Sequence, residues 1–116
     1  MNRADAERRG RRAETIAAWW LRLHGWRIVG MRVRTPVGEV DLVARRLGTV
    51  AFVEVKARTD LRGFEVAIDR SRLRRVAAAA SALATQPRYA AATMRIDVIL
   101  VAPRRLPRHL ANVWDG

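Results

Sequence analysis

The chain has 116 residues, half of them hydrophobic, which is enough for one domain with a single core. It contains no cysteine, which excludes disulfides, thiol catalysis and cysteine-based zinc sites and is typical of a reducing cytoplasm. No apolar run approaches the roughly 18 residues of a transmembrane helix. The charged start MNRADAERRG lacks the apolar segment of a secretory signal, so we expect a cytoplasmic protein with no membrane partner.

The charge of the chain indicates its partner. The formal net charge is +12, and a small domain this basic attracts polyanions, nucleic acid first among them. Of the 23 basic residues all but one are arginines, and the single lysine is Lys56. The alternative is a basic accessory protein of the ribosome or the membrane surface, held there by charge alone.

The first predicted element is a helix over Arg3–His24, which ends at Gly25. Its apolar positions follow the helical period from Ala13 onward, and Glu14 lies at the edge of that apolar face. A carboxylate in this position can reach over the sheet that the helix covers. The alternative is a boundary glutamate paired with a neighbouring arginine.

Three strands are predicted next, over Trp26–Arg34, Gly38–Ala44 and Val50–Lys56. The second and third form a hairpin through Arg46–Thr49. We expect Gly48 to supply any positive φ that this turn needs.

The register of this hairpin brings acidic residues together. A two-residue or a four-residue loop places Asp41 opposite Glu54 and Glu39 opposite Lys56, with directly opposed Cβ atoms about 5 Å apart. Two carboxylates at that distance repel each other unless a cation lies between them. Asp41 and Glu54 therefore form a candidate metal site with Lys56 beside it, and hard divalent cations favour such oxygen ligands. The alternative is a lattice of ion pairs between the strands, Glu39 with Lys56 and Asp41 with an arginine.

The second half of the chain predicts a crossover. Asp69 caps a helix from Arg70 to about Ala84, and the apolar run Met94–Ala102 is typical of a central strand covered on both faces. A strand, a helix and such a strand favour a right-handed parallel connection. A short edge strand over Leu110–Trp114 completes an α/β fold with a single mixed β-sheet and flanking helices.

Basic residues surround the candidate site in several segments. The loop predicted over Ala57–Glu65 follows the strand that carries Glu54, and such loops often carry substrate contacts. Arginines also crowd the first turns of the second helix, which is unfavourable for its dipole and would be relieved by a bound polyanion. The alternative is that they are simply solvated. The candidate nucleic-acid-binding residues are Arg32, Arg34, Arg58, Arg62, Arg72 and Arg75.

An aspartate on one strand followed by Glu-x-Lys on the next resembles the PD-(D/E)xK signature of restriction-endonuclease-like nucleases. The fuller pattern is similar to the YraN-like family of small uncharacterised bacterial proteins, and the likeness covers essentially the whole chain. The matching segments are Gly10, Ala13-Glu14, Gly25-Trp26, Gly38-Glu39-Val40-Asp41-Leu42, Phe52-Val53-Glu54-Val55-Lys56-Ala57-Arg58 and Arg95-Ile96-Asp97-Val98.

This resemblance implies a restriction-endonuclease-like core and an endonuclease that hydrolyses DNA phosphodiester bonds with Mg²⁺ or Mn²⁺. Asp41 and Glu54 match the metal-binding acids, the Val55 carbonyl is a further candidate ligand, Glu14 supports the site through water, and Lys56 matches the catalytic lysine. Nucleases of this fold often act as homodimers. The alternative is a non-catalytic module that keeps the fold and binds nucleic acid or another partner.

Overall fold

The computed structural model describes residues 2–59 and 69–114. Arg62 and most of the predicted loop over Ala57–Glu65 lie outside the described residues. Within the described residues there are two α-helices, five strands and one short 3-10 helix (Pro87–Tyr89). In chain order the α-helices and strands are α1 (Arg3–Leu23), β1 (Arg27–Thr35), β2 (Gly38–Arg46), β3 (Thr49–Ala57), α2 (Arg70–Ala84), β4 (Thr93–Val101) and β5 (Arg108–Leu110).

The five strands form one mixed sheet in the order β1-β2-β3-β4-β5. Neighbouring strands are antiparallel except β3 and β4, which run parallel and are connected through α2. The predicted fold class is therefore confirmed, including the crossover. No helix among residues 2–59 and 69–114 is long and apolar enough to cross a lipid bilayer.

The core lies in two layers, one on each side of the sheet. On one side α1 packs Ala17 and Leu21 against Leu42 and Val53. On the other side α2 packs a second set of apolar side chains against Val40, Val43, Val50 and Phe52. The central strands are thus covered on both faces, as their near-continuous apolar sequences indicated.

Two local predictions were wrong. In the β2–β3 turn it is Leu47, not Gly48, that has a positive φ of 54°. The edge strand β5 pairs over Arg108–Leu110 rather than Leu110–Trp114. The reason is Asn112, whose N–H donates to the buried Asp97 carboxylate (2.9 Å) and whose own φ is 53°, so the chain turns away from the ladder after Leu110.

Gly38 fixes the distance between β2 and α2. A Cβ atom at this position would lie 2.7 Å from the backbone carbonyl oxygen of Arg75. The helix therefore rests directly on the start of β2, which also brings its arginines close to this end of the sheet.

We expect Gly38→Ala to lower the free energy of unfolding by roughly 1–3 kcal/mol, because α2 must move to admit the methyl group. Urea denaturation of the two proteins measures the change. Gly48→Ala is the matched control, since nothing lies within 4 Å of a Cβ atom there. Equal losses in both variants would contradict the close contact.

Candidate metal centre and its basic surroundings

Asp41 lies where β2 and β3 separate. The β2–β3 ladder follows the predicted register from Arg46–Thr49 to Leu42–Val53 and ends there. Beyond this point the Asp41 carboxylate accepts a hydrogen bond from the Val55 N–H through Oδ2 (2.8 Å). In a continuing ladder a backbone carbonyl would accept the hydrogen bond of this N–H, and here the Asp41 side chain accepts it instead. The hydrogen bond fixes the carboxylate at the point where the two strands separate.

The alternation of side chains also breaks at Asp41. Val40 belongs to the core on the α2 side, whereas Leu42 belongs to the core on the α1 side. In a regular strand these two residues would share a face. The regular ladder therefore ends at Leu42–Val53, before the two predicted pairs Asp41–Glu54 and Glu39–Lys56. Glu39 instead forms an ion pair with Arg34 of β1 (3.6 Å).

Glu54 is the most buried acid of the site, with a side chain only 3% exposed. Its Oε1 contacts the Lys56 ammonium (3.2 Å) and the Arg72 guanidinium, through Nη2 (2.7 Å) and Nε (2.9 Å). A buried carboxylate requires such compensation, since an unpaired charge in the core is very costly. Arg72 reaches it from the first turn of α2 and is itself about half exposed.

Burial and the neighbouring charge of Glu54 raise the pKa of Asp41 to about 7, although the Val55 N–H acts in the opposite direction. The negative charge of Glu14 adds to the rise, and Arg72 opposes it. Burial first and the neighbouring carboxylates second therefore disfavour the ionised form of Asp41. A divalent cation at this point would remove the repulsion.

Glu14 reaches the sheet from α1, as its place on the helix indicated. Its side chain is 14% exposed, and it accepts a hydrogen bond from the Arg32 Nε (2.7 Å). Arg32 has a positive φ of 51° and lies opposite Asp41 in the β1–β2 ladder, between two regular pairs. The partner of Glu14 is thus an arginine of the sheet rather than one of its own helix.

An open cleft of about 220 Å³ lies beside the two carboxylates. The hydrogen bond of Asp41 with Val55 is made through Oδ2, and the contacts of Glu54 with Arg72 and Lys56 are made through Oε1. Residues 2–59 and 69–114 contain no group of three acidic or histidine side chains close enough to hold one ion together. The cleft is lined by Glu39, Asp41, Glu54, Arg72, Arg75 and Val76.

These features fit a hydrated hard cation. Mg²⁺ commonly takes one or two carboxylates and fills its other positions with water and phosphate oxygens. Two carboxylates that line the same open cleft match that donor set. The place of Glu14 beyond the pair suits a role through water, and that role stays a prediction.

The predicted nucleic-acid-binding arginines divide into two groups. Arg72 and Arg75 line the cleft. Arg32 and Arg34 of β1 are paired instead with Glu14 of α1 and Glu39 of β2, respectively. Arg58 follows β3, and its Nη1 donates to the Ala57 carbonyl (3.1 Å). The sequence did not reveal the ion pair of Arg72 with Glu54, because the two residues are distant in the chain and meet only through the crossover.

A family model described as an uncharacterised protein family, UPF0102, matches residues 13–101. The chain belongs to the UPF0102 family. A UPF0102 protein of Sphingopyxis alaskensis is 68% identical over 117 residues, and the match covers 99% of each chain. A UPF0102 protein of Rhizorhabdus wittichii is 66% identical over 116 residues, covering 98% of this chain and 97% of that one.

The fold of this UPF0102 chain is also found in a solved structure, that of Hjc, a Holliday junction resolvase of Archaeoglobus fulgidus. The two superpose with a TM-score of 0.61 at 20% identity, over 86% of this chain and 73% of the resolvase. UPF0102 is the YraN family, so the predicted family is confirmed. The predicted restriction-endonuclease-like core is confirmed by the likeness to the resolvase fold.

The pKa of Asp41 makes a prediction for the metal-free UPF0102 protein. This carboxyl has a pKa of about 7 when folded against 3.8 for a free side chain, so between these values the folded state binds more protons than the unfolded state. The free energy of unfolding should therefore fall as pH rises through this range, by an amount on the order of a few kcal/mol. Asp41→Asn cannot ionise and can still accept the Val55 hydrogen bond, so its stability should fall less.

Thermal unfolding from pH 4 to pH 8 in EDTA measures this difference. Asp5→Asn is the matched control, because Asp5 is an exposed aspartate paired with Arg8 near the start of α1. The wild-type and Asp41→Asn curves should diverge as pH rises. Parallel curves for the two proteins would contradict the raised pKa.

Proposed function

We propose that this protein is a divalent-metal-dependent endonuclease that hydrolyses phosphodiester bonds of DNA. The observation that carries the proposal is the pair of crowded carboxylates, Asp41 and Glu54, at the fork of two central strands beside Lys56. Two neighbouring carboxylates repel each other unless a cation lies between them, which supports a bound metal at this position. The likeness of the fold to a Holliday junction resolvase supports the same reading.

In this proposal Asp41 and Glu54 would hold Mg²⁺ or Mn²⁺ through their carboxylates, and the Val55 carbonyl is a further candidate ligand. The bound metal supplies a Lewis acid that stabilises the charge developing on the phosphate. Asp41 is kept in place by the Val55 N–H, so the metal would meet a carboxylate that is already oriented. Glu14 orients water at the edge of the site.

Lys56 acts on the attacking water. Its side chain is 14% exposed and its ammonium lies 3.2 Å from Glu54, which holds it at the rim of the acid pair. The Lys56 amine orients the attacking water or takes its proton, and the ammonium offsets phosphate charge. A guanidinium could not exchange a proton in this way.

The arginines supply affinity that does not depend on sequence. Arg72 and Arg75 lie at the cleft, and the net charge of the chain is +12. Contacts of this kind go to the phosphate backbone and make binding strongly dependent on salt. The proposed set of nucleic-acid-binding residues is completed by Arg32, Arg34, Arg58 and Arg62.

That the protein forms a homodimer remains a prediction, which sedimentation would measure.

One observation favours a second function. Glu54 is already balanced by Lys56 and Arg72, so half of the acid pair has a cation without any metal. A protein that kept the nuclease fold and bound nucleic acid without cleaving it would show such a contact. In that case DNA binding survives EDTA and no metal produces cleavage.

Cleavage assays distinguish the two functions. Duplex, branched and single-stranded DNA are incubated with Mg²⁺ or Mn²⁺ and wild-type protein, Asp41→Asn, Glu54→Gln, Lys56→Ala or the control Asp5→Asn. We expect a loss of at least roughly 100-fold in rate for each site variant, as is usual when a group that acts in the transition state is removed. Asp5→Asn should cleave like the wild type.

Two results would overturn the proposal. Equal cleavage by wild type and all site variants would assign the activity to a contaminant. Intact DNA binding with no cleavage of any substrate would establish the non-catalytic function instead.

Metal binding is a separate prediction. Calorimetric titration with Mn²⁺ should show a site in the wild type that is lost in both Asp41→Asn and Glu54→Gln and retained in Asp5→Asn. Binding should weaken below about pH 7, because the ion must displace the proton of Asp41. Equal Mn²⁺ affinity in wild type and both site variants would place the metal elsewhere.

A further inference from the structure

A second cleft lies between α1, the end of β3 and the segment that follows β4. Its volume is about 380 Å³, larger than that of the acidic cleft, and the two clefts have no described lining residue in common. Its floor is made of small apolar side chains and its rim of arginines. The lining residues used here are Arg9, Arg12, Ala57, Arg58, Arg104 and Arg105.

The charge of this arginine groove is not balanced within the described part of the chain. None of the described residues that line it is acidic. Arg9, Arg12, Arg104 and Arg105 form no ion pair with a described carboxylate, and all four side chains are exposed. Guanidinium groups crowded together in this way repel one another, and a bound anion would relieve the repulsion.

Neighbouring arginines on the same helix show the contrast. Arg8 is paired with Asp5 and Arg11 with Glu7, each by a contact along the helix surface. Residues three apart share a face of a helix, and these two lie about 100° around the axis from Arg9 and Arg12. The face with paired arginines thus lies beside the groove, and the face with unpaired arginines lines it.

The backbone holds the groove at the end of the strand that carries Glu54 and Lys56. The Arg58 N–H donates to the Val101 carbonyl (2.8 Å), which ties the end of β3 to β4. Ala57 lines the groove and directly follows Lys56 in the chain. Arg104 has a positive φ of 60° in the turn after β4, a conformation that is costly for a residue with a side chain.

We propose that this arginine groove binds the sugar-phosphate backbone of nucleic acid at a second place, separate from the acidic cleft. Guanidinium groups match phosphate oxygens in two-point contacts. None of the described residues that line the groove is aromatic, which favours contact with the backbone over stacking with bases. Recognition of the backbone carries no sequence information, so the groove would select the shape and path of the nucleic acid.

The proposal rests on nucleic acid being the substrate of the acidic cleft, and it specifies how that substrate runs. The groove lies on the α1 side of the sheet, while Arg75 and Val76 place the acidic cleft on the α2 side. We expect a straight duplex to dock on one side of the sheet and to contact only one of the two clefts. Nucleic acid that contacts both clefts must therefore bend around the end of β3 or branch there.

The test compares two double variants that remove the same charge. Arg9→Gln/Arg12→Gln removes two rim arginines of the groove, and Arg8→Gln/Arg11→Gln removes two paired arginines from the neighbouring face. Binding of labelled duplex and branched DNA is measured by fluorescence anisotropy in EDTA over a series of salt concentrations. The two double variants should have the same unfolding temperature, so that a difference in DNA binding does not come from a difference in stability.

We expect the groove variant to bind branched DNA at least roughly tenfold more weakly at moderate salt. Its slope of log affinity against log salt should fall by roughly 2, since each lost phosphate contact removes about 0.9. The control variant should keep a slope near that of the wild type. Arg104→Gln/Arg105→Gln, on the opposite rim, should reproduce the loss.

The outcomes separate this proposal from the function it rests on. If the wild type binds DNA and both pairs of substitutions change the slope equally, the groove proposal falls and the proposed function stands. If the wild type binds no nucleic acid, both fall. Groove-dependent binding to vesicles that contain phosphatidylglycerol, without DNA binding, would assign the groove to a membrane surface and also overturn the proposal.

Discussion

The hydrogen bond from the Val55 N–H to Asp41 is the contact on which the candidate site depends. It lies where the β2–β3 ladder stops, and it allows two strands to separate without leaving a buried donor unpaired. A backbone carbonyl would satisfy the donor equally well but would bring no charge. The carboxylate closes the ladder and also places a negative group next to Glu54, so one interaction serves both the sheet and the site.

The two helices have different electrostatic roles around this fork. α1 brings Glu14, a negative group that adds to the charge near Asp41, and Arg32 of the sheet compensates it. α2 brings Arg72, a positive group that compensates Glu54 directly. Each helix packs through an apolar face, so the hydrophobic core determines where these charges meet. Charge and packing are therefore not independent in this domain.

Much of the fold could be predicted from the sequence because its signals are local. The alternation in β2 and β3, the cap at Asp69 and the apolar run of β4 each indicate one element, and the predicted α/β order follows from them. The hairpin register was also predictable, since the short turn fixes it as far as Leu42–Val53. Local signals failed where a contact distant in the chain decides the conformation. Asp97 turns the chain at Asn112 and shortens β5, and no pattern near residue 112 indicates this.

The sequence indicated which residues belong to the candidate site, but not which of them form hydrogen bonds and ion pairs with each other. Residue type and spacing identified Asp41, Glu54 and Lys56. The contacts of Glu14 with Arg32 and of Glu54 with Arg72 join residues that are 18 positions apart in each case. Such pairings depend on how each helix lies on the sheet, which is set by the whole core.

The ion pair of Arg72 with Glu54 has a consequence for how a metal would be sensed. A guanidinium on a folded helix is a tethered competitor, and its effective concentration at the carboxylate is far higher than that of a free ion. A cation that used Glu54 Oε1 would have to compete with this guanidinium, so the ion pair would weaken the apparent affinity of that oxygen for a metal. An Arg72 side chain released in this way would be free to contact a phosphate at the mouth of the cleft.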